Sequence, residues 1–348
     1  MALLFFSTST PILFFFLLLC VLSASWSVAA WVAVTFPSFP CPHEGNNVLR
    51  FKRGSFLSAI PAENNISGGE GLLHEDHDDD DEDASKVHMV DDLPCQKRTL
   101  HLPNIGPVTI LEATEETQEE LDQMAMSYAL GLGLNNEDDD NSQKLKEGDA
   151  YGVSLWPSSS AVAKYLLEDA TDLDLSSSSL VELGAGAGLV SIAAAIKGAS
   201  VVTATDFEAF PLQMAEYAAS HFHNLNLDTQ LLDLCGDPKE HPLPTADVVV
   251  AADVNYEPDT GMALAYRTVE ALSNGSRVII GDSPDRPGRP YFLQTLKEEL
   301  GIQEKDVPLL KTTGEVKDPL GDDVIKLPVY IMDMKPELLM YSTLARVY

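Results

Sequence analysis

Cysteine is scarce in this chain, with four in 348 residues, at positions 20, 41, 95 and 235, and no C-x-x-C pair. Cys20 lies in a segment expected to be removed. What remains offers neither a disulfide framework nor the ligand spacing of a structural zinc site. Basic residues are scarce as well: 22 Lys and Arg stand against 54 Asp and Glu, a formal charge of -32. Phosphate contacts need clustered Lys and Arg, so this balance argues against passive binding to nucleic acid or an anionic membrane, and a basic partner fits better. No internal repeat is visible, and no His, Cys and carboxylate cluster suggests a metal.

Part of the negative charge is concentrated in "HEDHDDDDED", residues 74–83, and "EDDD", residues 137–140. Such runs repel themselves and stay solvated, so both are expected to be unstructured. His74 and His77 in the first run could bind metal weakly, but a solvated linker is the preferred reading.

Residues 1–42 contain no charged side chain. "PILFFFLLLCVL" is an apolar block shorter than the ~18 residues of a membrane span and suits the hydrophobic core of a signal peptide. "SVAA" then offers Val28 and Ala30 as the small residues of a cleavage site before Trp31, although the segment lacks an initial positive charge. The following stretch carries Arg50, Lys52 and Arg53 against the single acid Glu44. These features set the expected organisation: a signal peptide-like segment at 1–30, a transit-like segment at 31–60, an acidic linker at 61–95 and a folded domain at 96–348. The pairing of the first two resembles the two-part plastid presequences of algae with secondary plastids. Entry into the secretory route is therefore expected, with the plastid as destination; an endomembrane location, secretion and an uncleaved anchor are the alternatives. N-x-S sequons at Asn65 and Asn274 add little to the choice.

The domain should open near Lys97. "TLHLPNIGPVTILEA" predicts a hairpin around Pro103, Asn104 and Gly106, and "ETQEELDQMAMSYALGLGL" predicts a helix. From Ser158 onward helices and strands alternate: "SSSAVAKYLLED", "SSLVELGAG", "LVSIAAAIKG" closed by Gly198, "ASVVTATD", "PLQMAEYAASHF", "TQLLDL", "ADVVVAAD", "TGMALAYRTVEALS" and "SRVIIGD". That alternation implies a parallel sheet with helices on both faces. "DVIKLPVYIMDM" could close the sheet as an antiparallel edge.

"VELGAGAGLV", residues 181–190, joins a strand to a helix through Gly184, Gly186 and Gly188, at the place where such sheets bind nucleotides. Glycine lets a backbone turn sharply and approach a ligand. A plain tight turn is the bland alternative. A dinucleotide turn would read G-x-G-x-x-G, with the helix N-terminus facing pyrophosphate. Here Leu189 stands where the third glycine would fall, and Glu182 would repel a pyrophosphate while suiting a ligand with a positive centre. S-adenosylmethionine has a sulfonium and an amino group and no phosphate. Asp206 ends the next strand, where an acid can accept hydrogen bonds from both ribose hydroxyls, although NAD sites use a similar acid.

"VELGAGAGLVSIAAAIKGASVVTATD" resembles motif I and the second strand of class I S-adenosylmethionine-dependent methyltransferases. "GVSLWPSSSAVAKYLL" and "ADVVVAADVNYEPDTGMALAYRTVEAL" narrow the resemblance to methyltransferase family 16, the lysine methyltransferase-like group. "RVIIGDSPDRPGRPYF" is similar to the G-D-P-G-R segment of the branch containing the electron transfer flavoprotein β-subunit lysine methyltransferase. The resemblance covers roughly residues 97 to 335.

It implies a Rossmann-like α/β fold: a seven-stranded class I methyltransferase sheet with helices on both faces and an antiparallel last strand, preceded by a disordered N-terminal extension and a hairpin and helix. It implies that Trp156 covers the cofactor, that Gly184, Ala185 and Gly186, with Gly188 and Glu182 beside them, line its methionine part, and that Asp206 holds the ribose. Where the family often has L-D-W, this chain has Leu232, Asp233 and Leu234, so Leu234 could offer only an aliphatic wall to adenine. Ala252 would face the cofactor, and Asp253 and Tyr256 match the D-x-x-Y motif beside the transferred methyl. Arg286 and Arg289 are isolated positive charges that could steer an acidic substrate segment or stay solvated. The implied activity is protein-lysine N-methylation by a monomer, with S-adenosylmethionine as cofactor, no metal, no nucleic acid and no stable membrane association once the presequence is cleaved. Transfer to a small molecule or another nitrogen, and a non-catalytic methyltransferase-like binding protein, are the alternatives.

Overall fold

The computed structural model describes residues 87–129, 151–317 and 323–339. The signal peptide-like and transit-like segments, both acidic runs and the sequon at Asn65 lie outside them.

The first element differs from expectation. The described chain begins with strand β1 (Val87–Val90), inside the stretch assigned to the linker, followed by β2 (Leu93–Leu102) and β3 (Gly106–Ala113) in a three-stranded antiparallel sheet of order β1-β2-β3. Val90 pairs with Leu93 across a two-residue turn, Asp91 and Asp92, whose φ values are +47° and +66°. Aspartate tolerates the left-handed region, and two such residues in succession form the tight hairpin turn that suits twisted strands. In sequence these two acids look like more linker charge. The second hairpin turn falls as expected at Pro103–Ile105, with Asn104 at φ +65°. Helix α1 (Glu115–Ala129) follows it.

The seven-stranded sheet has the order β6-β5-β4-β7-β8-β10-β9. Its strands are β4 (Ser179–Leu183), β5 (Val201–Asp206), β6 (Asp228–Leu231), β7 (Val248–Ala252), β8 (Arg277–Asp282), β9 (Leu309–Lys317) and β10 (Val324–Met334). Strands β4 to β8 are mutually parallel, and β10 runs antiparallel to both β8 and β9. The long last run is therefore antiparallel, but it is not the edge: β9 lies outside it. Strand β9 escapes a sequence reading because it is only partly buried and carries Lys, Thr, Gly and Glu in place of an apolar alternation. The helices are α2 (Pro157–Lys164), extended by a wider π-type turn at Tyr165–Asp169, α3 (Leu189–Lys197), α4 (Ala209–His223), α5 (Pro258–Ser273) and α6 (Arg289–Leu300). Helix α6 begins inside "RVIIGDSPDRPGRPYF"; Pro290 in its first turn is compatible with a helix start, where no amide hydrogen is needed.

Successive residues of the central strands feed two cores. Leu180, Val248, Val250, Ala252 and Ile279 join the cluster with Val162, Ile192 and Met214, while Val181, Leu183, Val249, Ala251, Val278 and Ile280 join the cluster with Leu264, Phe292 and Leu296. Burial on both faces explains why these strands read as continuous apolar runs. Gly281 of β8 allows α2 its close approach, since a Cβ there would lie 2.4 Å from Val162 Cγ2. Gly281→Ala is expected to destabilise the domain by about 1–3 kcal/mol through overpacking. Val162→Ala should relieve it, so that the double variant unfolds with less loss than the two single losses added; simple additivity in denaturant titrations would refute this packing account.

Candidate functional site

The residues singled out in sequence converge at the carboxyl ends of β4 to β8, where an open α/β sheet forms its ligand crevice. The turn after β4 is unusual backbone: Gly184, Gly186 and Gly188 have φ of +65°, +52° and +76°, the region where a Cβ is disfavoured. Space is also restricted. A Cβ on Gly186 would stand 2.9 Å from the carbonyl oxygen of Gly152, and one on Gly188 would stand 2.5 Å from Ala215 Cβ. Glycine is therefore required by conformation and by contact together.

Asp206, buried at the end of β5, holds the turn. Gly186 N–H donates to its Oδ2 at 3.0 Å and Glu208 N–H donates to its Oδ1 at 3.1 Å. This anchoring of the turn is a second duty that the sequence reading did not foresee.

Glu182 is placed differently from expectation. It is 1% exposed, and its Oε2 accepts from Ser191 N–H at 2.9 Å and from Ser191 Oγ at 2.6 Å, within the first turn of α3. The group expected to face a cationic ligand is thus a cap at the positive end of a helix. The same contact bears on ligand choice, because one of the first-turn amides that a dinucleotide turn aims at pyrophosphate is already bonded to a carboxylate. Burial pushes Glu182 up from 4.5 to about 7, opposed by the Ser191 hydrogen bonds and assisted by the Asp206 charge. The folded chain then holds a proton that the unfolded chain has released. The stability associated with that proton is present below about pH 4.5 and is lost as pH rises toward 7. Relative to Glu182→Gln, wild type is expected to lose thermal stability between pH 5 and pH 8; a pH-independent gap between the two proteins would overturn this.

The segment after β7 meets the turn directly, as a Cβ on Gly184 would lie 3.0 Å from Val254 Cγ2. Asp253 adopts a left-handed φ of +62°, a conformation costly for a non-glycine residue and frequent at functional sites. Its Oδ1 accepts from Arg286 Nε at 2.6 Å and from Ser283 N–H at 3.2 Å, and its Oδ2 is 3.2 Å from Ser283 Oγ, which donates to it. Arg286 also lies over the Trp156 ring, 5.1 Å from its centroid. One guanidinium thereby joins the loop before α2 to the acid after β7. Tyr256 is 41% exposed. Ala252 is buried at the end of β7. Leu234 is half-buried and packs on the core beneath α5 and α6, while Asp233 Oδ1 accepts from Cys235 N–H at 2.9 Å, shaping that loop.

Sequence reasoning missed several supports. Glu112 Oε1, at the end of β3, accepts from Leu155 N–H at 2.8 Å, and Ala113 N–H donates to Val153 O at 3.0 Å, so the antiparallel extension holds the loop that carries Trp156. Trp156 Nε1–H donates to Tyr151 O at 2.9 Å. Asp282, fully buried at the end of β8, accepts from Asn255 Nδ2 at 2.7 Å and has Arg289 at 3.5 Å. Burial pushes it up to about 6 against the Asn255 hydrogen bond and the Arg289 charge. Arg289 lies 4.7 Å over the Tyr330 ring, and Arg286 is only partly exposed, so neither arginine is the solvated charge that was one of the two readings. Only the acid of "IIGDS" carried a signal, as a polar residue ending an apolar strand. Among the described residues no group of His, Cys, Asp and Glu could hold a metal ion.

The sheet order, its reversed penultimate strand and the glycine turn with its acid partner define a class I S-adenosylmethionine-dependent methyltransferase domain. A sequence profile described as lysine methyltransferase matches residues 136–299. Protein N-lysine methyltransferase METTL21A of Danio rerio is 32% identical over 162 residues, covering 44% of this chain and 71% of that protein. The electron transfer flavoprotein beta subunit lysine methyltransferase of Mus musculus is 30% identical over 146 residues, 41% of this chain and 53% of that protein. Among solved structures, ribosomal protein L11 methylase of Lactobacillus delbrueckii subsp. bulgaricus aligns with 17% identity and a TM-score of 0.36, over 57% of this chain and 91% of that one. The chain belongs to the lysine methyltransferase family. It spans about half the length of the first electron transfer flavoprotein relatives it matches.

The residues present fit S-adenosylmethionine. The turn is too close to Gly152 for a side chain, Asp206 sets a carboxylate at the end of β5 against that turn, and the α3 amide of Ser191 is withdrawn from phosphate.

Proposed function

We propose that this chain methylates a lysine side chain of a protein substrate. The observation that carries the reading is a contact: the Asp253-Val254-Asn255-Tyr256 segment packs through Val254 on the glycine turn, which supports an acceptor motif beside the cofactor seat. Family membership supports the substrate class, since the named relatives act as protein-lysine methyltransferases.

When bound, S-adenosylmethionine supplies a methyl group on a positively charged sulfur. Gly184, Ala185 and Gly186 would receive its methionine part, Asp206 the ribose, Ala252 and the aliphatic Leu234 the adenine side, and Trp156 would cover it. Glu182 and Gly188 act from beneath, as cap and as turn residue. These groups align two reactants, and alignment is worth on the order of 7–11 kcal/mol in favourable cases. A lysine ammonium must first lose a proton to free its nitrogen lone pair. Asp253 and Tyr256 would then position the nitrogen and stabilise the positive charge that returns to it on methylation.

Incubation of the full chain with labelled S-adenosylmethionine and a cell extract should label a protein at lysine. Asp206→Ala should weaken cofactor binding about 10- to 100-fold, the loss expected for charge-assisted hydrogen bonds. Asp253→Ala should retain cofactor binding and lose transfer. Near wild-type turnover in Asp253→Ala, or label confined to metabolites, would defeat the reading.

We also propose that residues 1–60 direct the chain into the secretory route and on to a plastid. The apolar block followed by a stretch poor in acids supports this. Fused to a fluorescent protein, residues 1–60 should deliver it there in a secondary-plastid alga; fluorescence left in the cytosol would refute the assignment.

A further inference from the structure

We propose that Arg286 is a specificity-determining residue that occupies the docking place of the acceptor's cationic side chain, so that only a cation able to displace it from Asp253 and Trp156 gains the site. The proposal rests on the lysine-acceptor reading above and adds how the acceptor is selected.

Arg286, in the loop after β8, and Arg289, at the start of α6, are held differently. Arg289 is the more enclosed, with 12% side-chain exposure, stacked on Tyr330 and paired with an acid that is fully buried. Arg286 is 21% exposed, while the Asp253 side chain beneath it is 2% exposed. Asp253 is thus shielded by a cation that itself reaches solvent, and the Trp156 ring supplies the other face of the cradle. A carboxylate and an aromatic face together form a receptor for a positive side chain.

The polar groups behind Asp253 point the same way. Asn255 and Asp282 are both 0% exposed, and one oxygen of each, Oδ1, has no hydrogen-bond partner among the described residues. Buried acceptors without donors are rare and need an explanation. Among the described residues the guanidinium of Arg286 bonds only Asp253 Oδ1, whereas a lysine ammonium brings three donors on a thin stem. Exchange of one monocation for another never leaves Asp253 as an uncompensated buried charge, which would be strongly unfavourable. A neutral or anionic acceptor has no such route. Arg286 therefore acts as a built-in competitor that weakens acceptor binding and excludes non-cationic groups.

The test uses the full chain with Trp26→Phe and Trp31→Phe, which leaves Trp156 as the fluorescent reporter, and n-butylammonium as the probe. In Arg286→Gln the probe should bind about tenfold tighter than in the parent, because the competing state is removed. Binding should be lost in the Asp253→Asn, Arg286→Gln double variant. Should Arg286→Gln fail to show a cooperative melt, Arg286→Lys decides instead: with its point charge in place of a planar fork, it should also bind the probe tighter than the parent. Equal probe affinity in parent and folded variants overturns the proposal. With labelled S-adenosylmethionine and diluted cell extract, Arg286→Gln should reach half-maximal labelling at lower extract concentration; an unchanged or higher requirement also overturns it. If neither protein labels any lysine, the acceptor reading fails, and the n-butylammonium affinities still judge the cation site.

Discussion

The buried side-chain carboxyl of Glu182 accepts both the amide and the hydroxyl of Ser191 in the first turn of α3. That contact fixes the angle at which the chain leaves β4 and enters α3, and the glycine turn is the bend between them. Asp206 then ties the same turn from the neighbouring strand through Gly186. With these two acids in place, the backbone of residues 184–188 is held, and Gly152 and Val254 close on it. A helix N-terminus usually attracts phosphate. Here a protein carboxylate is already bonded in its first turn, which leaves a crevice suited to a cofactor without phosphate.

The acceptor side depends on two ion pairs. Asp253 pairs with Arg286 and Asp282 with Arg289 around the ends of β7 and β8, and the two guanidinium groups lie over the aromatic rings of Trp156 and Tyr330. Burial of this many ionic groups is favourable only when each is paired, because desolvating an unpaired charge costs several kcal/mol. The antiparallel extension contributes at a distance. Glu112 holds the backbone of Leu155, and so the sheet of β1 to β3 positions Trp156 although it supplies no group to the crevice.

Much of the nucleotide-fold half was legible before any coordinates. The strands β4, β5, β7 and β8 are short apolar runs ended by glycine or aspartate, and the intervening helices carry their own start and stop residues. Elements that failed to appear in the reading lacked such signals. Strand β1 is four residues joined by an Asp-Asp turn that resembles linker charge. Strand β9 is polar and only partly buried, and α6 starts behind two prolines. The place of β10 inside the sheet follows from β9, so missing one strand misplaced the other as an edge.

Local sequence was enough to determine the glycine turn, its acid partner at the end of β5 and the family resemblance, because these are contiguous segments whose conformation is dictated by backbone sterics and by apolar burial. It also supplied the D-x-x-Y motif as a string of residues. Only the tertiary structure decided what those residues touch. It turned Glu182 inward to a helix cap, joined Arg286 to Asp253 across 33 positions and joined Glu112 to Leu155 across 43. Such pairings are set by which strand ends the sheet order makes neighbours, and the pattern of residues within each segment carries no record of that order.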